Sequence, residues 1–203
     1  THPDWDDSMV LLTRLVGERI SSNVDVVDIG CGHGNFVIDE LAGRWGKRVG
    51  FDLATESTAN NTSVEQVVIG NDKELPFADG AFDLALSLWT LEHVKHPVVL
   101  FKEIQRTLKP GGIFAFVTPN RPSLLIFIRR LMSKRVADWL LEYFYGRNDD
   151  DVFEVYYRAN DIGSLRNLTR EAGLQVEYLH ENEDPSYTSF GTCTYILSAM
   201  FSR

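Results

Sequence analysis

Apolar residues fall along the chain in two alternating rhythms. Met9, Leu12, Val16 and Ile20 share one face behind Ser8, which predicts an amphipathic helix over 8–20 with Ser8 as its cap. Val24 to Ile29 is a short, β-branched run that ends at Gly30, the signature of a buried strand. Asn35 to Ala42 is helical up to Gly43, and Arg48 to Leu53 forms a second strand. Residues 54–64 are rich in Thr, Ser and Asn and support at best a short helix. Gln66 to Gly70 and Phe82 to Leu88 are strands three and four, separated by a loop whose turn signals are Pro76 and Asp79-Gly80. Pro97, Leu100, Phe101, Ile104 and Leu108 mark a helix with Pro in its first turn and a stop at Lys109-Pro110-Gly111-Gly112. Ile113 to Val117 is the fifth strand.

Strands spaced by helical patterns predict βαβ units, hence a mostly parallel α/β sheet with helices on both faces. After Asn120 the rhythm changes. Residues 121–159 read as one long helical stretch, Arg121 to Tyr145, followed by a charged loop. Asn160 is expected to cap a helix carrying Leu165, Leu168 and Ala172, with Gly173 as its stop. Leu174 to Leu179 and Thr192 to Ser198 are two last strands that could form a hairpin. The expectation is one domain: a ligand-binding core over 24–120, an insertion over 121–159, and a C-terminal helix and strands over 160–203.

The candidate chemistry starts at the end of strand one. Asp28-Ile29-Gly30-Cys31-Gly32-His33-Gly34 lies where that strand turns into the next helix. Glycines there permit a tight turn and let a ligand approach bare backbone. The spacing is G-x-G-x-G, and Asn35 stands where a dinucleotide fingerprint requires its third glycine, which weakens a nicotinamide reading. Asp52 ends strand two, roughly 20 residues beyond the loop, where nucleotide folds place a ribose-binding acid. A carboxylate there also repels a 2′-phosphate.

Charge narrows the partners. With 20 Lys+Arg against 29 Asp+Glu and a net charge of −9, the chain lacks the basic surface of a general nucleic-acid binder. Two cysteines cannot build a disulfide framework, so a reducing, cytoplasmic setting is expected. No apolar run is long enough to span a membrane, and the first residues carry no signal-peptide pattern. The chain also lacks an initial Met, so it can be a trimmed piece.

At this point the sequence resembles the class I S-adenosylmethionine-dependent methyltransferases, and more narrowly the small ubiquinone/menaquinone-biosynthesis type. The segments that carry the resemblance are Val27 to Gly34, Gly50-Phe51-Asp52, Gly70 to Phe77, Phe82-Asp83-Leu84, Leu91-Glu92-His93-Val94 and Leu108 to Gly112. Each is weak alone; together, in this order and spacing, they are specific. The resemblance implies a Rossmann-like fold with a seven-stranded sheet of order 3-2-1-4-5-7-6, strand seven antiparallel, and a helical lid after strand five. It implies S-adenosylmethionine as cofactor, its methionine part held by Asp28 and the loop of Gly30, Cys31, Gly32 and Gly34, and its ribose held by Asp52. Leu53 and Leu88 belong to the same implied set. Adenine falls to the Gly70–Leu75 segment, where Asn71 occupies a position that the family usually fills with Asp; Asp72 substitutes only if the loop shifts.

A sulfonium methyl is already electrophilic, so transfer needs alignment and dryness more than covalent help. A base matters where the acceptor must lose a proton. His93, at the carboxyl edge after strand four, is the candidate base; its other reading is packing against the cofactor. Glu92 is expected to brace the loop, His33 to point outward, His96 to be a solvated helix-start residue, and Cys31 to pack inward. No His/Cys cluster has metal spacing, and Asp149-Asp150-Asp151 with Glu154 reads as a solvated acidic loop. The lid carries Leu124, Phe127, Trp139, Tyr143 and Phe144, which points to a small hydrophobic or aromatic acceptor; Tyr156, Tyr157 and Arg158 lie where it rejoins the core. Basic residues among apolar ones over 121–145 admit peripheral membrane or lipid contact. Two rival readings are a non-catalytic S-adenosylmethionine-binding or assembly protein and an NAD-dependent oxidoreductase.

Overall fold

The β-branched runs form the middle of a seven-stranded sheet, because a strand covered on both faces needs mostly apolar side chains. The computed structural model describes residues 7–71, 73–119, 154–184 and 192–200. In chain order they form α1 (Ser8–Arg19), β1 (Val24–Ile29), α2 (Phe36–Glu40), β2 (Trp45–Asp52), β3 (Gln66–Ile69), β4 (Phe82–Leu88), α3 (Pro97–Thr107), β5 (Leu108–Pro119), α4 (Ile162–Glu171), β6 (Gln175–Asp184) and β7 (Thr192–Met200). Single 3₁₀ turns occupy Glu56–Thr58 and Leu91–His93. The sheet order is β3-β2-β1-β4-β5-β7-β6. Strands β1 to β5 run parallel, and β7 runs antiparallel to both of its neighbours, as the resemblance implies.

Side chains alternate between the two faces with the period of two that a pleated strand dictates. Val27 and Ile29 pack with Phe101, Phe114, Phe116 and Leu165, on the side that α3 and α4 cover. Val24, Val26, Leu84 and Leu86 pack with Leu12, Val16 and Ile38, on the side of α1 and α2. Asp28 is in step with Val24 and Val26, and so a carboxylate enters the apolar layer beneath α2.

Three of the resembling segments make structural contacts. The Lys109 ammonium lies 3.0 Å from Asp25 and 2.8 Å from Asp83, and Asp83 also accepts from the Asp25 amide. This knot ties the starts of β1, β4 and β5 together at the edge opposite the glycine loop. Arg106 of α3 donates to the carbonyls of Leu75 and Phe77 and to Glu103 and Asp79, holding the Leu75-Pro76-Phe77 loop on the helix.

The structure corrects three boundaries. α1 is capped by Asp7, whose carboxylate accepts from Met9 and Val10, while Ser8 is buried inside the helix. α4 is capped by Asp161; Asn160 is a buried side chain that donates to Thr118 and Pro119. Lys109 to Gly112, expected to end a helix, are the first residues of β5, with an irregularity of register opposite Phe82–Leu84. Residues 120–153, which hold most of the segment expected to form a lid, and Asp72 lie outside the described residues. Among the described residues, no helix is long and apolar enough to cross a membrane.

Candidate cofactor and acceptor site

Parallel register brings the ends of β1, β2 and β4 to one edge: Asp28 pairs with Gly50 on one side and Leu86 on the other. The glycine loop hangs from the end of β2, because the amides of Gly30 and Cys31 both donate to the Phe51 carbonyl, at 2.8 and 3.1 Å. The Gly32 amide donates to Asp52 Oδ2 at 2.9 Å. Asp52 Oδ1 accepts from the amides of Leu53 (2.7 Å) and Ala54 (3.1 Å). Three of the four lone-pair positions of this carboxylate are therefore used, and the remaining one lies on Oδ2.

The glycines of this loop have different jobs. A Cβ on Gly30 would stand 2.3 Å from Thr90 Cγ2 and Oγ1, so this glycine lets β4's exit pack against the loop. A Cβ on Gly32 would meet nothing within 4 Å: its open side faces out of the protein at the carboxyl edge, beside Asp52. Cys31 contributes backbone only. Its thiol is buried against Gly50, and burial, then the charges of Asp28 and Asp52, push it up to about 12, which makes it inert.

Below the loop lies an unmatched polar pair. Asp28 is 1% exposed and neither carboxylate oxygen has a hydrogen-bond partner. Burial pushes its pKa up to about 7; the Asn35 amide pulls the other way without closing a hydrogen bond, and the charges of Asp52 and Asp39 add to the rise. Asn35 caps α2, its Oδ1 accepting from Val37 and Ile38, while its Nδ2 is buried without a partner. Buried polar atoms are normally matched; here the two Asp28 oxygens are unmatched acceptors, which a donor from outside would satisfy, and Asn35 Nδ2 is an unmatched donor beside them.

Of the remaining expected residues, Leu53 is 57% exposed beside Asp52 and Leu88 is half-buried at the end of β4. Asn71 sits at the same edge, but its Oδ1 accepts from Lys73 within its own turn, and the side chain is exposed. His33 and His96 are exposed, as expected. His93 Nδ1 lies 3.0 Å from the Glu154 carbonyl. A carbonyl only accepts, so Nδ1 carries the proton, and in the neutral ring Nε2 holds the basic lone pair. Glu92 is buried. Its own carbonyl accepts from Tyr156 and Tyr157, and its carboxylate accepts from Thr118. Burial pushes this acid up to about 7, with Thr118 opposing. It braces the point where residues 154–160 return to the sheet.

Three residues that shape the site had no signal in the sequence. Asn61 donates to the carbonyls of Cys31 and Gly32, both at 2.9 Å. Ser63 accepts from the Asn35 amide and donates to Asp39. Thr90 donates to the carbonyls of Leu88 and Gly30. The first two come from the polar stretch after β2, where periodicity is silent. Among the described residues, no group of three His, Cys, Asp or Glu side chains could hold a metal ion.

The profile of a family described as "Methyltransferase domain" matches residues 9–179. A sterol 4-C-methyltransferase of Caenorhabditis elegans is 35% identical over 105 residues, covering 47% of this chain and 31% of that protein. A ubiquinone biosynthesis O-methyltransferase of Burkholderia pseudomallei is 31% identical over 160 residues, covering 74% of this chain and 64% of that protein. The chain thus spans less than two thirds of the length of either curated relative. The crystal structure of an S-adenosylmethionine-dependent methyltransferase from Mesorhizobium loti superposes with a TM-score of 0.67 at 19% identity, covering 93% of this chain and 95% of that one.

Proposed function

The chain belongs to the methyltransferase-domain family, and from that membership we propose that it transfers a methyl group from S-adenosylmethionine to a hydrophobic or aromatic small molecule. The observation that carries the reading is the pairing of the open face at Gly32 with the buried, unpartnered carboxylate of Asp28. A ligand bearing an ammonium group and a ribose fits this chemistry. Asp28 and the open backbone face of the loop at Gly32 hold the amino-acid part, Asp52 Oδ2 accepts from a ribose hydroxyl, and the exposed Leu53 flanks the base. When bound, the cofactor supplies a sulfonium methyl that is electrophilic without further activation.

The protein's share is alignment and one proton. Thr90, Asn61 and Ser63 fix the loop, so the groups that grip the cofactor are set before it arrives. Holding two reactants in line lowers a barrier by roughly 7–11 kcal/mol. His93, with Nδ1 tied to Glu154, presents Nε2 to take the proton that a phenol or acidic carbon must lose. The two relatives are named for methylation at a sterol carbon and in the making of a ubiquinone, so they agree on an apolar acceptor rather than on its nucleophilic atom. The large apolar residues of 121–145 are the part of the chain suited to such an acceptor.

Calorimetric titration with S-adenosylmethionine and S-adenosylhomocysteine is the test, followed by transfer of labelled methyl to a panel of phenols and quinols. Saturable binding of both, with micromolar affinity, is expected; absence of binding ends the proposal, and binding without transfer to any acceptor favours a non-catalytic role. Asp52→Ala is expected to weaken cofactor binding more than tenfold, since a hydrogen bond to a charged group is worth roughly 1.5–3 kcal/mol. Unchanged affinity would remove Asp52 from the site.

A further inference from the structure

A cavity of about 400 Å³ lies away from the glycine loop, between the start of α3 and the first turns of α4. Lys95, His96 and Arg158 line it, and no carboxylate does. That is notable in a chain with 29 acidic and 20 basic residues. Elsewhere Arg19, Arg48, Arg106 and Lys109 are all paired with acids. Among the described residues, neither Lys95 nor Arg158 is paired with a carboxylate, and His96 forms no ion pair.

The neighbouring groups add donors. Arg158 is held in place by one N–H on the Lys95 carbonyl at 2.8 Å and by stacking on Tyr156, and its other N–H groups are left to bind. Asn167 accepts from Arg170 through Oδ1, so its Nδ2 donates. Ser164 spends its hydroxyl proton on Asp161, which keeps that acid turned onto its own helix. One wall is apolar, formed by Pro97, Val98, Val99 and Leu168. Two basic side chains and an imidazole lining one cavity suit a tetrahedral dianion, and the volume exceeds what a bare phosphate needs.

We propose that this cavity binds the phosphate monoester of a small amphipathic molecule, with Lys95, His96 and Arg158 on the phosphate and the apolar wall against the organic group. None of its lining residues is among those assigned to the cofactor, and the proposal does not depend on the methyl-transfer reading.

The full chain is titrated calorimetrically with phenyl phosphate and with inorganic phosphate at matched ionic strength, and is sedimented with vesicles of phosphatidylcholine with and without phosphatidic acid. Phenyl phosphate is expected to bind saturably and roughly tenfold more tightly than inorganic phosphate, because only the ester uses the apolar wall. Arg158→Gln and Lys95→Gln are each expected to weaken it by roughly tenfold or more. Arg158→Gln also removes the bond to the Lys95 carbonyl, so Lys95→Gln, a change confined to an exposed side chain, keeps the test independent of folding. S-adenosylmethionine affinity should stay unchanged in both variants. Binding confined to phosphatidic acid vesicles, and lost in both variants, supports the same site with a lipid as the source of the monoester. No saturable binding in either arm, or binding indifferent to both substitutions, overturns the proposal.

Discussion

Replacing Asp28 with asparagine is expected to stabilise the ligand-free protein at pH 8 and, in the same variant, to weaken S-adenosylmethionine binding at least tenfold. The two effects have one cause. The carboxyl of Asp28 is fully buried without a hydrogen-bond partner, and burial raises its pKa from 3.8 to about 7. A raised carboxyl binds its proton more tightly in the folded chain than in the unfolded one. Its contribution to stability is therefore complete below about pH 4 and is lost as pH rises toward 7. Each pKa unit corresponds to about 1.4 kcal/mol, so ionised Asp28 costs the empty protein up to about 4 kcal/mol at pH 8. An amide in its place removes the charge and leaves a smaller polar burden. Glu92, also raised to about 7, adds a parallel fall over the same pH range, so the substitution should flatten the pH dependence only in part. On the proposed reading the cofactor's ammonium pairs with the ionised form, and an amide oxygen replaces that ion pair poorly. Thermal melts from pH 5 to 8, with and without cofactor, read both effects. A variant that melts lower than the wild type at pH 8, or binds cofactor normally, contradicts the assignment.

The same residue shows what a sequence can and cannot disclose. Asp28 is readable as a candidate site residue because it sits near the end of an apolar run, just before glycines that only a ligand or a tight turn requires. Its lack of a partner is not readable, since that depends on where Asn35 turns its amide. β1 and β4 were plain from composition, because burial on both faces leaves no room for polar alternation. β5 is legible only in its buried half; Lys109 to Gly112 look like a helix stop, and the ion pairs of Lys109 with Asp25 and Asp83 tie them to the sheet. Caps missed by one residue at Ser8 and Asn160 have a common reason. Two adjacent residues of cap type compete, and burial, which is a tertiary matter, decides for Asp7 and Asp161. Asn61 and Ser63 hold the glycine loop from across the site, through contacts 28 to 30 residues apart that leave no periodic mark.

Alanine at Gly30 and alanine at Gly32 are expected to fail in opposite ways, although the two glycines are two residues apart in one motif. At Gly30 the added methyl would stand 2.3 Å from two atoms of Thr90, with φ at +74°. Thr90 cannot step aside cheaply, since its hydroxyl is fixed on the carbonyls of Leu88 and Gly30. Overpacking plus left-handed strain amounts to roughly 3–4 kcal/mol, which lowers the melting temperature of a domain this size by about 10 °C. Adding Thr90→Ala should restore only part of the loss, because Thr90 Cβ itself would remain 2.8 Å from the new methyl. At Gly32 nothing lies within 4 Å and φ is +38°, so the change brings backbone strain alone, about 1–2 kcal/mol and a few degrees of melting temperature. Its methyl, however, projects from the open face beside Asp52, into the space where a bound nucleoside would lie. Cofactor affinity should fall more than tenfold there, while the Gly30 variant, measured below its melting point, keeps most of its affinity. Normal binding by Gly32→Ala would mean that the open face of the loop is not the one the ligand uses, and the reading of Asp28 and Asp52 as its two anchors would fall with it.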